Sequence, residues 1–256
     1  MRVSPPTEGE DRISSTGSTA RVLLRRPRAA ECLAAIRAPA LYRNFAVHLF
    51  VMFPAAMVMC WVAVHVDREL GLPPLTPWPA LGALGAALIA QGGLWVWYVY
   101  GYLYLAGGGS PGTHVDGGPV ALVDTGPYTL MRHPSVLGKL AGVVGLGLLW
   151  RSPVFLLGFV PVLVVYSVVT NRVVQERFCE LRFGDAYGRY RARVPTLLPS
   201  PASIARWARD ESALPEPALP VAEQPAALRS ELPLYLAGLA GLLALFGLIW
   251  GVAALR

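Results

Sequence analysis

The stretch VLGKLAGVVGLGLLW-RSP-VFLLGFVPVLVVYSVV, residues 136 to 169, decides the fold. Two apolar runs, Val136 to Trp150 and Val154 to Val169, are separated only by Arg151-Ser152-Pro153. So short a connection makes the two helices an antiparallel hairpin. Ser152 suits an N-cap and Pro153 the first helical position, so the second helix starts there. Pro161 lies inside that helix and predicts a kink, because it removes a backbone donor. Past Val169 the helix turns polar through Asn171, Arg172, Gln175, Glu176 and Arg177, and is expected to continue as far as Arg182. Gly138, Gly142 and Gly145 form a stripe of small residues that permits a neighbouring helix to approach closely.

Outward from the hairpin, three more apolar runs appear: Phe45 to Val66, Trp78 to Ala106, and Leu232 to Leu255. Hydrophobic residues make up 54% of the chain and charged residues 15%, with a mean hydropathy of +0.48. That apolar excess, in runs long enough to cross a bilayer, defines an all-α polytopic membrane protein of about five transmembrane helices. Residues 1–30 read as a disordered tail, with no apolar stretch before a small-residue cleavage site. Residues 31–199 form a membrane-embedded core, with spans near 45–66, 78–106, 136–150 and 153–170. Residues 200–231 read as a Pro/Ala-rich linker and 232–256 as a fifth transmembrane helix, on which Gly247 and Gly251 suit a homodimer contact.

The net charge of +6 rests on arginine, Lys139 being the single lysine. These arginines flank apolar segments, which fits membrane orientation and anionic lipid rather than nucleic acid. Arg25, Arg26, Arg28, Arg37 and Arg43 precede the first span; Arg172, Arg177, Arg182, Arg189, Arg191 and Arg193 follow the fourth. Only Arg68 and Arg151 occupy the opposite connections. The N-terminus, the Gly-rich loop from Gly107 and the segment after the fourth span are therefore expected in the cytosol, in the inner membrane of a bacterium given the Ala, Gly, Arg and Pro usage. Cys32, Cys60 and Cys179 are scattered, with no C-x-x-C pair, so neither a disulfide framework nor a metal site is expected.

The hairpin brings the start of its first helix, Arg132-His133-Pro134, to the same side as the far end of its second, around Glu176. Pro134 fits a first helical turn, whose unpaired N–H groups favour an anion. At α-helical spacing Arg172, Glu176 and Cys179 share one face. A carboxylate there suits a ligand ammonium, and an arginine opposite suits a carboxylate or phosphate. Structural roles compete for each residue: Arg132 and Arg172 as interfacial anchors, Glu176 in a helical ion pair with Arg172, and His133 as a helix cap. The aromatic end of the second span, Trp95, Trp97, Tyr98, Tyr100, Tyr102 and Tyr104, belongs at an interface or around a ligand.

Taken together these residues resemble a known pattern. Thr125-Gly126-Pro127-Tyr128 and Arg132-His133-Pro134-Ser135-Val136-Leu137-Gly138 are similar to the TGPY…RHPxYxG signature of the isoprenylcysteine carboxyl methyltransferase and phospholipid methyltransferase superfamily. Gln175-Glu176-Arg177-Phe178-Cys179-Glu180-Leu181-Arg182-Phe183-Gly184 resembles its EExxLxxxFG, and Tyr187, Tyr190 and Val194-Pro195 through Pro199 its YxxY…VP…P ending. Val136 stands where the family usually has an aromatic, Gln175 where it has a first glutamate, and Cys179 where it has a leucine.

The resemblance implies an S-adenosylmethionine-dependent methyltransferase with a lipophilic or membrane-delivered acceptor bearing a carboxylate, amine or thiol. With the residues read above, it gives a cofactor set of Tyr128, Arg132, His133, Pro134, Leu137, Gly138, Arg172, Glu176, Tyr187 and Tyr190, Arg172 entering by its helical spacing alone, with Arg132, His133 and Glu176 as the catalytic candidates. Two alternatives stand beside it. One is an NADPH-dependent membrane reductase of related architecture, which also uses an R-H-P-x-Y-x-G-like segment. The other is a non-catalytic membrane scaffold, for which Val136 and Gln175 are the best evidence.

Overall fold

The structure is a computed structural model that describes residues 27–38, 41, 53–76, 78–107, 119 and 121–209. Helices account for its regular structure, and no strand occurs among the described residues. The elements are α1 (Ala29–Ala34), α2 (Phe53–Glu69), α3 (Pro79–Ala106), α4 (Pro127–Leu130), α5 (Pro134–Trp150), α6 (Val160–Thr170), α7 (Arg177–Arg193) and α8 (Pro201–Ala208). Among the described residues, two helices are long and apolar enough to cross a membrane: α3, and the continuous rod Phe155–Arg193 that includes α6 and α7. α5 is apolar but shorter, at 17 residues. The expected fifth span, the Gly247 and Gly251 pair, most of the expected N-terminal tail and the start of the first run lie outside the described residues.

The hairpin forms as its connection predicts. Ser152 caps the rod by accepting from the Phe155 N–H at 3.0 Å. Asp67, at the end of α2, accepts from the Val154 N–H at 3.0 Å and from the Ser152 hydroxyl. This polar lock is nearly sealed, with Asp67 and Ser152 both buried. α2, α5 and the start of the rod meet beside it in a core of Met59, Cys60, Ala63, Leu146, Phe155 and Phe159.

Glycines set how closely α3 and α5 lie. A Cβ on Gly92 would meet the Gly138 carbonyl oxygen at 2.3 Å, and one on Gly85 would meet that of Gly145 at 2.7 Å. The expected stripe is thus spent inside the chain, against a matching pair on α3. Outward, Leu84, Leu94, Leu157, Val165, Val169 and Val173 are exposed, as apolar side chains are when lipid is the solvent.

Three expectations change. The irregularity before Pro161 takes the form of a π-helical segment, Phe155–Phe159, an accommodation typical of helices under local constraint. The polar half of the rod does not end at Arg182 but runs to Arg193, broken at Gly184, whose φ of 52° and ψ of −130° suit a residue without a Cβ. Finally, the segment read as linker from residue 200 begins as a helix, α8. Ser200 and Ser203 exchange side-chain and backbone hydrogen bonds at 2.9 and 3.1 Å, and Pro201 occupies the first turn. Those capping bonds outweigh a Pro/Ala-rich composition.

Candidate active site

The site is built where the hairpin closes on itself. Arg132 and His133 precede α5 in extended or irregular backbone, and Pro134 opens the helix. Their backbone N–H groups donate to Pro195 O at 2.8 Å and Thr196 O at 3.2 Å, so the chain following α7 straps across them. From α3, the indole of Trp95 donates to the Pro134 carbonyl at 2.7 Å. The Arg-His-Pro turn is held from both sides before any side chain is considered.

Arg132 then spends its whole guanidinium. Nε donates to Glu176 Oε1 at 3.0 Å, and Nη2 lies 2.9 Å from the same oxygen. Nη1 donates to the carbonyls of Arg191 and Val194, each at 2.9 Å, and Nη2 also donates to the Thr196 hydroxyl. A guanidinium has five N–H donors, and four hydrogen bonds plus the second close contact to Glu176 Oε1 engage both edges of the fork. Arg132 is therefore neither an interfacial anchor nor a donor left open for a ligand carboxylate. It clamps Glu176 and the end of α7 to the turn.

His133 does not cap α5 through its side chain. Its Nε2 faces Glu176 Oε1 at 3.3 Å instead. Every recorded contact on Glu176 thus falls on Oε1, and Oε2 receives no donor among the described residues. The residue is only 4% exposed, and Oε2 is the carboxylate oxygen left with acceptor capacity to spare.

Arg172 is not brought to this centre. Residues Asn171–Glu176 are π-helical, and the wider turn displaces the i, i+4 register that an α-helix would keep. Asn171, Val174 and Glu176 consequently face inward, while Arg172 is exposed. The expected shared face of Arg172, Glu176 and Cys179 is therefore not formed.

The tyrosines support the site from behind. Tyr187 and Tyr190 are buried with Leu122, Phe183 and Val194, and the Tyr190 hydroxyl donates to the Tyr128 carbonyl at 2.9 Å. Tyr128, in α4, packs against the Cys32, Tyr102, Ala106 and Val123 cluster. Burial pushes the pKa of its phenol far up. Gly138 is committed to the contact with Gly92, and Leu137 is exposed on α5.

Other contributors carried weaker sequence signals. Tyr102 bonds Thr125 through its hydroxyl at 2.7 Å, and its ring fills the space a Cβ on Gly126 would need. Gly126 also has a φ of 55°, so both halves of the Thr-Gly-Pro-Tyr turn require that glycine. Trp97 donates to the Leu33 carbonyl at 3.1 Å, fastening α1 to α3. Part of the aromatic end of α3 is therefore a brace for the site. Arg182, expected as a helix end, is 2% exposed and donates through Nε to the Pro119 carbonyl at 2.7 Å.

Comparison with known proteins agrees with the motifs. A family model described as phospholipid methyltransferase matches residues 81–185. A protein-S-isoprenylcysteine O-methyltransferase of Xenopus laevis is 34% identical over 79 residues, which are 30% of this chain and 27% of that protein. The chain thus spans about a quarter of the length of that curated relative. No solved structure matches. Both matches support the resemblance at the level of the isoprenylcysteine carboxyl methyltransferase and phospholipid methyltransferase superfamily.

Proposed function

We propose, for a chain whose residues 81–185 match the phospholipid methyltransferase family, that it is an integral-membrane S-adenosylmethionine-dependent methyltransferase acting on a lipophilic acceptor. The observation that carries this reading is the asymmetry of Glu176, a buried carboxylate with Oε1 fully engaged and Oε2 open. An open carboxylate oxygen on a largely buried residue suits a ligand ammonium, which an amino-acid-type cofactor brings. The N-terminus of α5 suits its carboxylate, because the first-turn N–H groups point out of the helix and Pro134 has none to waste. The polar end of the hairpin faces the cytosol in this reading, as the arginine distribution requires, in a bacterial inner membrane.

When bound, S-adenosylmethionine supplies an electrophilic methyl group on a sulfonium. The chain's own work is then alignment. Arg132 fixes the Glu176 carboxylate by two contacts to one oxygen and ties it to the 191–196 strap, so the ammonium-binding oxygen has one orientation. The burial of Glu176 and His133 excludes water from the polar cluster. Positioning of this kind is the main service an enzyme gives to an in-line displacement. A carboxylate acceptor needs no base. An amine or thiol acceptor must lose a proton, and His133 is the buried imidazole nearest the cluster, with Glu176 orienting its Nε2.

Calorimetric titration of S-adenosylmethionine into the detergent-purified protein, with Glu176→Ala alongside, tests the reading. Micromolar binding that disappears in the variant supports the cofactor and its site. No binding in the parent protein, after lipid is restored, overturns it and favours NADPH or a scaffold role.

A further inference from the structure

α8 is built inside out for a helix on a water-facing surface. Its inward residue is Ser203, fully buried, whereas Ile204 and Trp207 are 48% and 50% exposed. Leu198, just before it, is 68% exposed. Arg206 turns partly inward, where it donates to the Arg193 carbonyl and ties the helix to the end of α7. A short helix that hides serine and shows isoleucine and tryptophan is matched to an apolar medium.

Its position identifies that medium. Pro195 and Thr196 pair with the backbone of Arg132 and His133, directly before α5 begins. α8 starts five residues after Thr196 and packs against α4, so it is held at the polar end of the apolar helices, where lipid headgroups begin. The surrounding charge is mainly positive. Residues 189 to 209 contain Arg189, Arg191, Arg193, Arg206 and Arg209 and no acidic residue, although Arg191 pairs with Glu180, Arg193 lies 3.7 Å from Asp124, and Asp210 and Glu211 follow. Apolar side chains rimmed by arginine are the pattern of an interfacial helix on an anionic bilayer surface.

We propose that α8 is an interfacial helix whose Ile204 and Trp207, with Leu198 beside them, insert into the headgroup boundary of an anionic bilayer. The insertion anchors the strap that positions Arg132, so the lipid surface braces the polar site. This inference rests on the exposure pattern and charge of residues 189 to 209 and is independent of which reaction the site performs.

The test uses the full chain, one copy per nanodisc, with its three cysteines replaced by alanine and nitroxide labels placed in turn at Ile204→Cys, Trp207→Cys and Ala192→Cys. In discs containing phosphatidylglycerol, the ratio of oxygen to nickel-chelate accessibility should be several-fold higher at 204 and 207 than at the exposed Ala192 position. That ratio should fall when phosphatidylcholine replaces the anionic lipid. Ratios equal to that at 192 would overturn the insertion. Shielding of 204 and 207 from both reagents would overturn it in favour of cover by protein, from residues 210–256 or a second copy. Equal depth in the two lipids would overturn the anionic preference. Because alanine at Cys32 and Cys60 risks misfolding, quenching by brominated lipids is compared between the unmodified protein and Trp207→Phe. A loss of quenchable fluorescence in the variant supports insertion, and unchanged quenching overturns it.

Discussion

Arg132 and Glu176 lie 44 positions apart in sequence, and their side chains meet at 2.9 Å in a nearly water-free site. The pair is the point where the hairpin, the Arg-His-Pro turn and the strap after α7 are fastened together. Ion pairs of this kind owe their geometry to added hydrogen bonds, here the backbone carbonyls of Arg191 and Val194.

Arg132→Lys should behave as a severe change despite its conserved charge. Lysine has three donors on a point charge, and the guanidinium makes five contacts in a planar fork. At least one acceptor loses its partner, at about 1–3 kcal/mol for each group left buried and unsatisfied. Denaturation in mixed micelles should show the loss, and Arg132→Ala should be worse still, because Glu176 then keeps an uncompensated buried charge. A lysine variant as stable as the parent protein would contradict the clamp.

Glu176→Gln should separate binding from folding. Glutamine keeps the shape and one acceptor for Arg132 but offers no charge to a ligand ammonium. Loss of a charge-assisted hydrogen bond, worth about 1.5–3 kcal/mol, weakens S-adenosylmethionine binding by roughly 10- to 150-fold. Calorimetry at matched protein concentration reads this directly. An unchanged Kd would remove Glu176 from the ammonium site.

The hairpin and the convergence of its polar ends were legible because they follow from a three-residue connection and an N-cap serine. What was not legible has three physical causes. The partners of Arg132 on the strap are largely main-chain carbonyls, which have no side-chain signature. The inward face of the rod near Glu176 depends on a π-helical register at Asn171–Glu176, and spacing arguments assume α-helical turns. α8 was obscured by composition, although Ser200-Pro201 followed by Ser203 is a readable cap in retrospect. By contrast, the tyrosines assigned to cofactor contact by resemblance, Tyr187 and Tyr190, are packed as core beneath the site.

At the opposite end of the hairpin, Ser152→Ala removes an N-cap and should cost about 0.5–2 kcal/mol. Asp67→Ala should cost more, because it strands both the Val154 N–H and the Ser152 hydroxyl in a buried position. In the double variant the hydroxyl no longer needs a partner, so the combined loss should fall short of the sum. Strict additivity in a double-mutant cycle would show that the two residues stabilise the turn independently.

The glycine contacts give a prediction with an internal control on the facing helix. A methyl group on Gly92 meets the Gly138 carbonyl oxygen at 2.3 Å and the Gly142 nitrogen at 3.0 Å. Both atoms are main chain and cannot rotate away, so Gly92→Ala must push α3 and α5 apart, at about 1–3 kcal/mol by the usual cost of overpacking. Gly142 belongs to the α5 stripe that Gly92 faces, yet a Cβ there meets nothing within 4 Å. Gly142→Ala should be neutral, or stabilising by up to about 1 kcal/mol, because alanine is the better helix former. Because Trp95 on α3 holds the Pro134 carbonyl, the separation forced by Gly92→Ala should also weaken ligand binding at the Arg-His-Pro turn, and Gly142→Ala should not. Thermal unfolding and S-adenosylmethionine titration of the two variants side by side check both halves. Equal effects would mean that the two glycines serve helix flexibility in general and not one close helix contact.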